Sequence, residues 1–460
     1  MSEPRSVSGA VAEWIASLDP VDLTDGARAA AAGTILDTIG LIVAALDTDY
    51  GQAVRRAFAD PGDATVFGLG EARATGAAAV INGTCGHGED FDNTFEGCPV
   101  HSGVVVVPAL AAAGEEYGLG NAQVAKGIAV GMEVMCRLGL VAGKSVHSAG
   151  FHPTAILGTM GAAAGVAAAM GQSPAQIRDT LGVAGSMASG IIEYLADGSW
   201  TKRMHAGWSA HSAIRAAKMG AAGFSGPRTV FEGTHGLFSA FGPSIEPEFG
   251  LLTRDLGKRW EMAAIAYKPY ACGTMTQPYI DCAARLARSG IDIAAIEQIT
   301  CEVGEGTVHR LWEPLSEKRR PTTPYSAKFS TPYCVAVALL FEDAGLAEFT
   351  EARVRDPRVL ELAAKVSYVV DPDNEYPANY TGHVALRMSD GSVIEERQPC
   401  MRGGAREPLS RDELKSKCAA NLAFAGRSLS GVAAIDAFAD RVMAGEGPFD
   451  AKSLNRQLAA

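Results

Sequence analysis

The sequence predicts a mainly α protein: a large all-helical domain joined to a smaller α+β domain. Three observations predict it. The chain has 460 residues, more than a single compact core usually serves. Its first part consists of long Ala- and Gly-rich stretches with no strand-like alternation. After about Tyr267, apolar residues begin to alternate with polar ones, the pattern of half-buried strands. The expected limits are residues 1–266 for the helical domain and 267–404 for the α+β domain. Residues 405–460 are helical again and are expected to return to the first domain.

In chain order, Ala27–Ala45, Val104–Tyr117, Ala122–Leu138, Ala155–Met170 and Ser173–Ser189 read as helices. Ser173-Pro174 supplies an N-cap followed by a proline at the first helical position. Gly158, Gly161, Gly165 and Ala169 recur at three- and four-residue spacing, which lets helices approach closely. In the second domain, Ile299/Cys301/Val303 and Val366/Tyr368/Val370 alternate as strands. His383–Glu396 forms two alternating arms about Asp390-Gly391, a hairpin signal. Thr331–Phe341 and Asp356–Ala364 read as helices between them. Ser410 and Glu413 make a capping box for a terminal helix over Arg411–Ala423.

Composition narrows the function classes. Hydrophobic residues make up 47% and charged residues 20%, which fits a folded chain rather than a disordered one. A net charge of −12 argues against nucleic acid or an anionic membrane surface as partner. Ala155–Met170 is a better buried helix than a membrane span. The first residues lack a basic stretch followed by an apolar one, so no signal peptide is expected. Nine single cysteines without a C-x-x-C pair support neither a zinc ribbon nor a dithiol centre. With no secretory signal, they suit reduced thiols and a cytoplasmic location.

The chemistry concentrates in a few places. Seven of the nine histidines lie between His87 and His235. The segment Asn82–Pro108 brings His87, Asp90, Asp92, Thr94 and His101 together after a glycine-rich stretch. Phe151-His152-Pro153-Thr154 stands at a helix start, where free backbone N–H groups suit a carboxylate. Lys202, Arg203 and His205 follow Trp200, with His211 further on. Lys268 with Cys272, and Lys328 with Tyr333, lie in the smaller domain. Lys202, Arg203 and Lys268 are expected to hold carboxylates. His152 or His101 would move a proton near neutral pH. Such a set suits proton transfer beside a carboxylate, with cations steadying an enolate-like species. No glycine-rich phosphate loop is present, so nucleotide use is not indicated.

Ordinary readings stand beside these. His101 suits a helix cap. His87, His211 and His235 suit satisfied structural histidines. Lys202-Arg203 suits a solvated face, and Tyr333 suits the core with its hydroxyl bonded. Two other activity classes are also open. His87, Asp90 and Asp92 together offer one imidazole and two carboxylates to a divalent metal, and alternation along an extended segment would set both aspartates on one side. This would make a metal-dependent hydrolase. Ser199-x-x-Lys202 matches the S-x-x-K of serine acyl-transferases, but no K-T-G or S-D-N partner accompanies it.

In this order the clusters resemble the MmgE/PrpD family. His87–Thr94 resembles its H-x-x-D-F-D-D-T segment and Phe151–Gly158 its F-H-P-x-x-x-x-G segment. Lys202–His211 is similar to its K-x-x-H-x-G-x-x-A-x-x segment, and Gly223–Gly233 to its G-F-x-G-P-x-x-x-x-E-G. Lys268–Cys272 and Ala327–Cys334 resemble its lid-domain motifs. The resemblance runs over nearly the whole chain. It implies a large helical domain with a smaller α+β lid, a homodimer, and no cofactor or metal. It carries site roles to Asp90, Thr94, His101, His152, Lys202 and Tyr333, with Lys268 and His205 close by. Asn93 replaces the family's usual second Asp, Gln277 stands near a usual lid histidine, and the Thr94–His101 gap is one residue longer than in the family's decarboxylase-like members.

The resulting expectation is a cofactor-independent lyase for a small di- or tricarboxylate. Dehydration of a 2-methylcitrate-like hydroxy acid is favoured. Decarboxylation of the cis-aconitate type and epimerisation of the iminodisuccinate type are the alternatives. His152 and His101 would share acid and base roles, oriented by Asp90. Lys202 and Lys268 would bind carboxylates, helped by Thr94, Arg203 and His205. Tyr333 would close the site.

Overall fold

A computed structural model describes residues 6–459. The described chain divides into two compact units. The larger holds residues 6–88, 92–266 and 411–459, and the smaller holds 89–91 and 267–410.

The larger unit is mostly helical. Its main helices are α1 (Asp25–Ala45), α2 (Thr75–His87), α3 (Gly103–Glu116), α4 (Asn121–Ala142), α5 (Pro153–Ala169), α6 (Pro174–Met187) and α7 (Thr201–Ala221). Caps fix several starts. The Thr24 hydroxyl accepts from the Ala27 N–H, and Ser173 with Gln176 closes a reciprocal box before Pro174. Helices Arg411–Phe424 and Ser430–Ala444 pack on α1 within the same unit. Helix α1 is long and apolar enough to cross a membrane, yet most of it is buried in this unit's core.

Helix α5 is buried along its whole length, and small residues explain how it fits. A Cβ on Gly165 would lie 2.4 Å from the Gly127 carbonyl oxygen of α4, and one on Gly161 would lie 2.7 Å from that of Gly131. The two backbones therefore touch, which only glycine permits. Helices α2 and α7 meet the same way: a Cβ on Gly207 would lie 2.2 Å from the Val80 carbonyl oxygen. That crossing places the end of α2 against the first turns of α7.

The larger unit is not wholly helical. Strand β1 (Thr94–Phe95) pairs antiparallel with β2 (Ile265–Ala266). Two residues are too few to show alternation, so the expectation of an all-helical domain missed them.

The smaller unit carries a four-stranded sheet of β3 (Ile296–Val303), β4 (Val366–Val370), β5 (Gly382–Met388) and β6 (Val393–Gln398). Its order is β4-β3-β5-β6. Strand β3 runs parallel to β4, Ile299 opposite Val366, and antiparallel to β5, Ile299 opposite Leu386. The β5–β6 hairpin turns at Asp390-Gly391, where Gly391 takes a φ of 85°. Helices α8 (Gln277–Arg288) and α9 (Thr331–Phe341) pack on each other, and α8 also packs on β5 and β6.

Candidate functional site

In the larger unit the chain gathers four imidazoles, a carboxylate and a lysine. His87 ends α2, and its Nδ1 lies 2.8 Å from Asp92 Oδ2. The same carboxylate oxygen is 3.2 Å from His101 Nδ1. His101 Nδ1 also lies 2.8 Å from the Asn93 carbonyl oxygen. A carbonyl only accepts, so His101 Nδ1 carries a hydrogen and its chemistry is left to Nε2. Asn93 holds the turn: its side-chain oxygen accepts from the Gly103 N–H at the start of α3, and its amide donates to Thr34.

His152 caps α5, with Pro153 preset for the first turn. Its ring stacks on that of His87, centroids 5.6 Å apart and planes at 18°. Its Nδ1 is 3.2 Å from Nδ1 of His205 on α7, so one of the two nitrogens carries the hydrogen and the other accepts. Tyr194 sets the edge of its ring against both. Lys202 lies one helical turn before His205. His87, His101, His152, His205 and Asp92 are all buried.

Burial and mutual repulsion set the protonation. Burial, then the charges of His87, Lys202, His205 and His101, hold His152 well below the usual imidazole value. Burial and the same surroundings lower His205 to about 4. Burial also lowers His87, although Asp92 works against the shift. For Asp92, burial alone would raise the carboxyl, but His101 and His87 outweigh it and keep it well below its ordinary range. The resting site is thus a carboxylate facing mostly neutral imidazoles, with one lysine nearby. His87 Nε2, Asp92 Oδ1 and Thr94 Oγ1 are buried with no hydrogen-bond partner.

Other expected residues lie in different company. Asp90, read as the group that orients the histidines, belongs to the smaller unit. There Lys268 Nζ donates to its backbone carbonyl at 2.7 Å and to its carboxylate at 3.2 Å. Asp92 is the carboxylate that contacts the imidazoles, and sequence reading assigned it only to a metal. Lys268 is buried in its pair with Asp90. Its neighbour Lys328 is bound likewise to the carbonyl and carboxylate of Glu89. Tyr333 is fully buried in the smaller unit and donates its hydroxyl to the Glu348 carbonyl. Arg203 lies over the Tyr50 ring, 4.2 Å from its centroid. His211 stacks flat on Trp208. Gln277 bridges Tyr270 and Cys272 inside the smaller unit.

Residues 9–250 match the MmgE/PrpD N-terminal domain, and residues 270–432 match the MmgE/PrpD C-terminal domain. The chain belongs to the MmgE/PrpD family. Similar relatives within it bear one kind of name. A cis-aconitate decarboxylase-like protein, oryM, of Aspergillus oryzae is 25% identical over 438 residues, covering 90% of this chain and 89% of its own. The cis-aconitate decarboxylase of Aspergillus terreus is 25% identical over 446 residues, covering 90% of each. That of Mus musculus is 27% identical over 441 residues, covering 91% of this chain and 87% of its own. An MmgE/PrpD protein with these relatives is a lyase-type enzyme acting on carboxylates.

Proposed function

We propose that this MmgE/PrpD enzyme decarboxylates an unsaturated polycarboxylate of the cis-aconitate kind. The relatives' names favour this alternative over the dehydration that the sequence favoured. The observation that carries it is the buried group of His152, His205, His87, Asp92 and His101 with Lys202 beside it. Loss of carbon dioxide breaks a carbon–carbon bond and leaves its electron pair on carbon. Conjugation spreads that pair toward a remaining carboxylate, where the Lys202 ammonium is worth most in a site shielded from water. A proton then goes to carbon from an imidazole nitrogen, and His152 is the assigned donor. Asp92 keeps the His87 and His101 rings in register. Because burial holds His152, His205 and His87 neutral at rest, an arriving polyanion raises their affinity for protons, and binding takes up a proton.

The test is incubation of the pure protein with cis-aconitate in D₂O. Carbon dioxide should be released, and one deuterium should enter the product at carbon. Intact substrate after prolonged incubation, with a hydrated or epimerised acid formed from a parallel panel instead, would replace decarboxylation by that reaction.

A second reading rests on His87, Asp92 and His101, whose ligand atoms all lie within 4.8 Å of one another. Two imidazoles and a carboxylate suit a divalent ion, and here His101 takes the place expected for Asp90. The ion would need one ring nitrogen of each histidine free of hydrogen. A stoichiometric divalent ion that survives dialysis, with activity lost to EDTA and restored by that ion, would favour this metal-dependent hydrolase reading.

A further inference from the structure

A cleft of about 380 Å³ opens in the larger unit where Asp47, Gln52, Arg55, Arg56, Ala59 and Arg73 meet. That volume falls in the range of roughly 300–1,000 Å³ typical of small-molecule sites. Arg55 and Arg56 stand in the last turn of the helix Asp49–Ala57. Cations suit the negative end of a helix, which accounts for these two but not for Arg73. Arg73 comes from a separate segment, where its backbone exchanges two hydrogen bonds of 2.9 Å with Ala64. Three guanidinium groups thus face one another across a single carboxylate, in a chain whose net charge is −12. Like charges so placed repel unless an anion comes between them.

The guanidinium groups have donors to spare. Arg56 is exposed and carries no hydrogen bond or ion pair among the described residues. Arg55 donates to the Leu46 carbonyl and to Asp47, each at 3.2 Å, and Arg73 pairs with Glu71 at 2.7 Å. The Asp47 and Glu71 side chains are 70% and 72% exposed, and pairs of that kind are worth little. Both acids can turn aside to water when a stronger anion arrives. Arg73 itself is mostly buried, and its Nε has no acceptor. The lining holds no aromatic ring, and Ala59 is its one apolar side chain, so nothing there would hold a nucleobase or an alkyl chain. Guanidinium forks match the paired oxygens of phosphate and carboxylate groups.

We propose that this cleft binds a small polyanion carrying at least two oxyanion groups, at a site separate from the imidazoles. Arg73 lies just before α2 and His87 ends it, and its 13 residues set the cleft roughly 20 Å from the reaction centre. The assignment therefore holds whichever reaction the imidazoles perform.

Calorimetry with pyrophosphate at low ionic strength tests it. Arg56→Glu and Arg73→Gln should each weaken binding about tenfold or more, the least that a lost charge-assisted contact removes. Arg56 is exposed on its helix, so Arg56→Glu keeps the test readable if Arg73→Gln disturbs the pairing with Ala64. Lys202→Ala, altered at the imidazoles, should bind pyrophosphate as the native protein does. Orthophosphate should bind more weakly, because it reaches fewer of the three guanidinium groups. Tricarballylate, a saturated tricarboxylate, is measured in the Lys202→Ala background. Binding tighter than that of pyrophosphate, and lost on adding Arg56→Glu, identifies the oxyanions as carboxylates, and the reverse order identifies them as phosphates. Failure of both probes to bind, binding untouched by Arg56→Glu and Arg73→Gln, or binding lost in Lys202→Ala would overturn the proposal.

Discussion

Asp90 and Asp92 are two residues apart, and their separate fates follow from one backbone angle. Asp90 adopts a φ of 54°, uncommon for a residue with a side chain. Lys268 holds it there through both the carbonyl and the carboxylate. A strictly extended segment would have set both aspartates on one side, and the left-handed residue breaks that alternation. The density of histidines and carboxylates in Asn82–Pro108 was therefore legible, while the aspartate that serves the imidazoles was not. His152 was legible because Pro153 marks a helix start. Its partnership with His205 depends on the crossing of separate helices, which spacing along the chain does not encode. Losing a positioned acid–base group typically costs on the order of 10²–10⁴-fold in rate. His152→Gln should lower kcat by that order with KM nearly intact and stop deuterium entry, and near-native turnover would transfer the proton to His101. Tyr333→Phe removes one buried hydrogen bond to a carbonyl. It should cost about 1 kcal/mol in urea unfolding with kcat unchanged, and a large fall in kcat would return the phenol to the chemistry.

The buried imidazoles also fix a direction for stability against pH. His205 binds its proton near pH 4 when folded and near 6.5 when unfolded. Between those values the unfolded chain holds more protons, so stability rises with pH across that window. It is complete above about 6.5 and is lost as the pH falls toward 4. His152 and His87 act in the same sense. Urea midpoints taken from pH 7.5 to 4.5 should fall, and His205→Gln should flatten the decline. An unchanged slope in that variant would place the acid sensitivity elsewhere.

Helices and strands were largely readable because their cause is local. Ala- and Gly-rich stretches marked α3 to α6, and the alternation about Asp390-Gly391 marked the hairpin. The β1–β2 pair was invisible because its two short partners lie some 170 residues apart in sequence, as the register Thr94 opposite Ala266 shows. The glycine spacing of α5 indicated close approach without naming the partner, which is α4. At Gly165 alanine is the better helix former by about 1 kcal/mol. Its Cβ would nonetheless meet a backbone carbonyl that cannot rotate away. Gly165→Ala should therefore destabilise the protein by about 1–3 kcal/mol, the usual range for overpacking. A stabilised variant would mean that α4 and α5 slide apart at little cost.

The larger unit is assembled from three stretches of chain, and one buried ion pair shows how the last is fastened to the first. Lys417, on the helix Arg411–Phe424, places its Nζ 2.7 Å from Asp37 on α1, with both side chains almost wholly buried. Burial pushes the Asp37 carboxyl up, and Lys417 and the Asn93 backbone oppose the shift. Asn93 is also the residue whose carbonyl holds the His101 ring. The terminal segment thus reaches the imidazoles through Lys417, Asp37 and Asn93 in turn. Breaking a buried pair by removing one partner costs about 3–5 kcal/mol, since the other charge is stranded, whereas replacing both by apolar groups is often neutral. Lys417→Ala should accordingly lose about 3–5 kcal/mol in urea unfolding. The double variant Asp37→Leu, Lys417→Met should recover most of it. If the pair serves only to fasten the segment, the double variant keeps the native pH profile of turnover. If Asp37 also sets the Asn93 turn, the stability returns but the pH profile stays displaced, because His101 loses its fixed Nδ1 partner. Restored stability with a displaced profile is the outcome expected here, and restoration of both would confine the pair to holding the chain together.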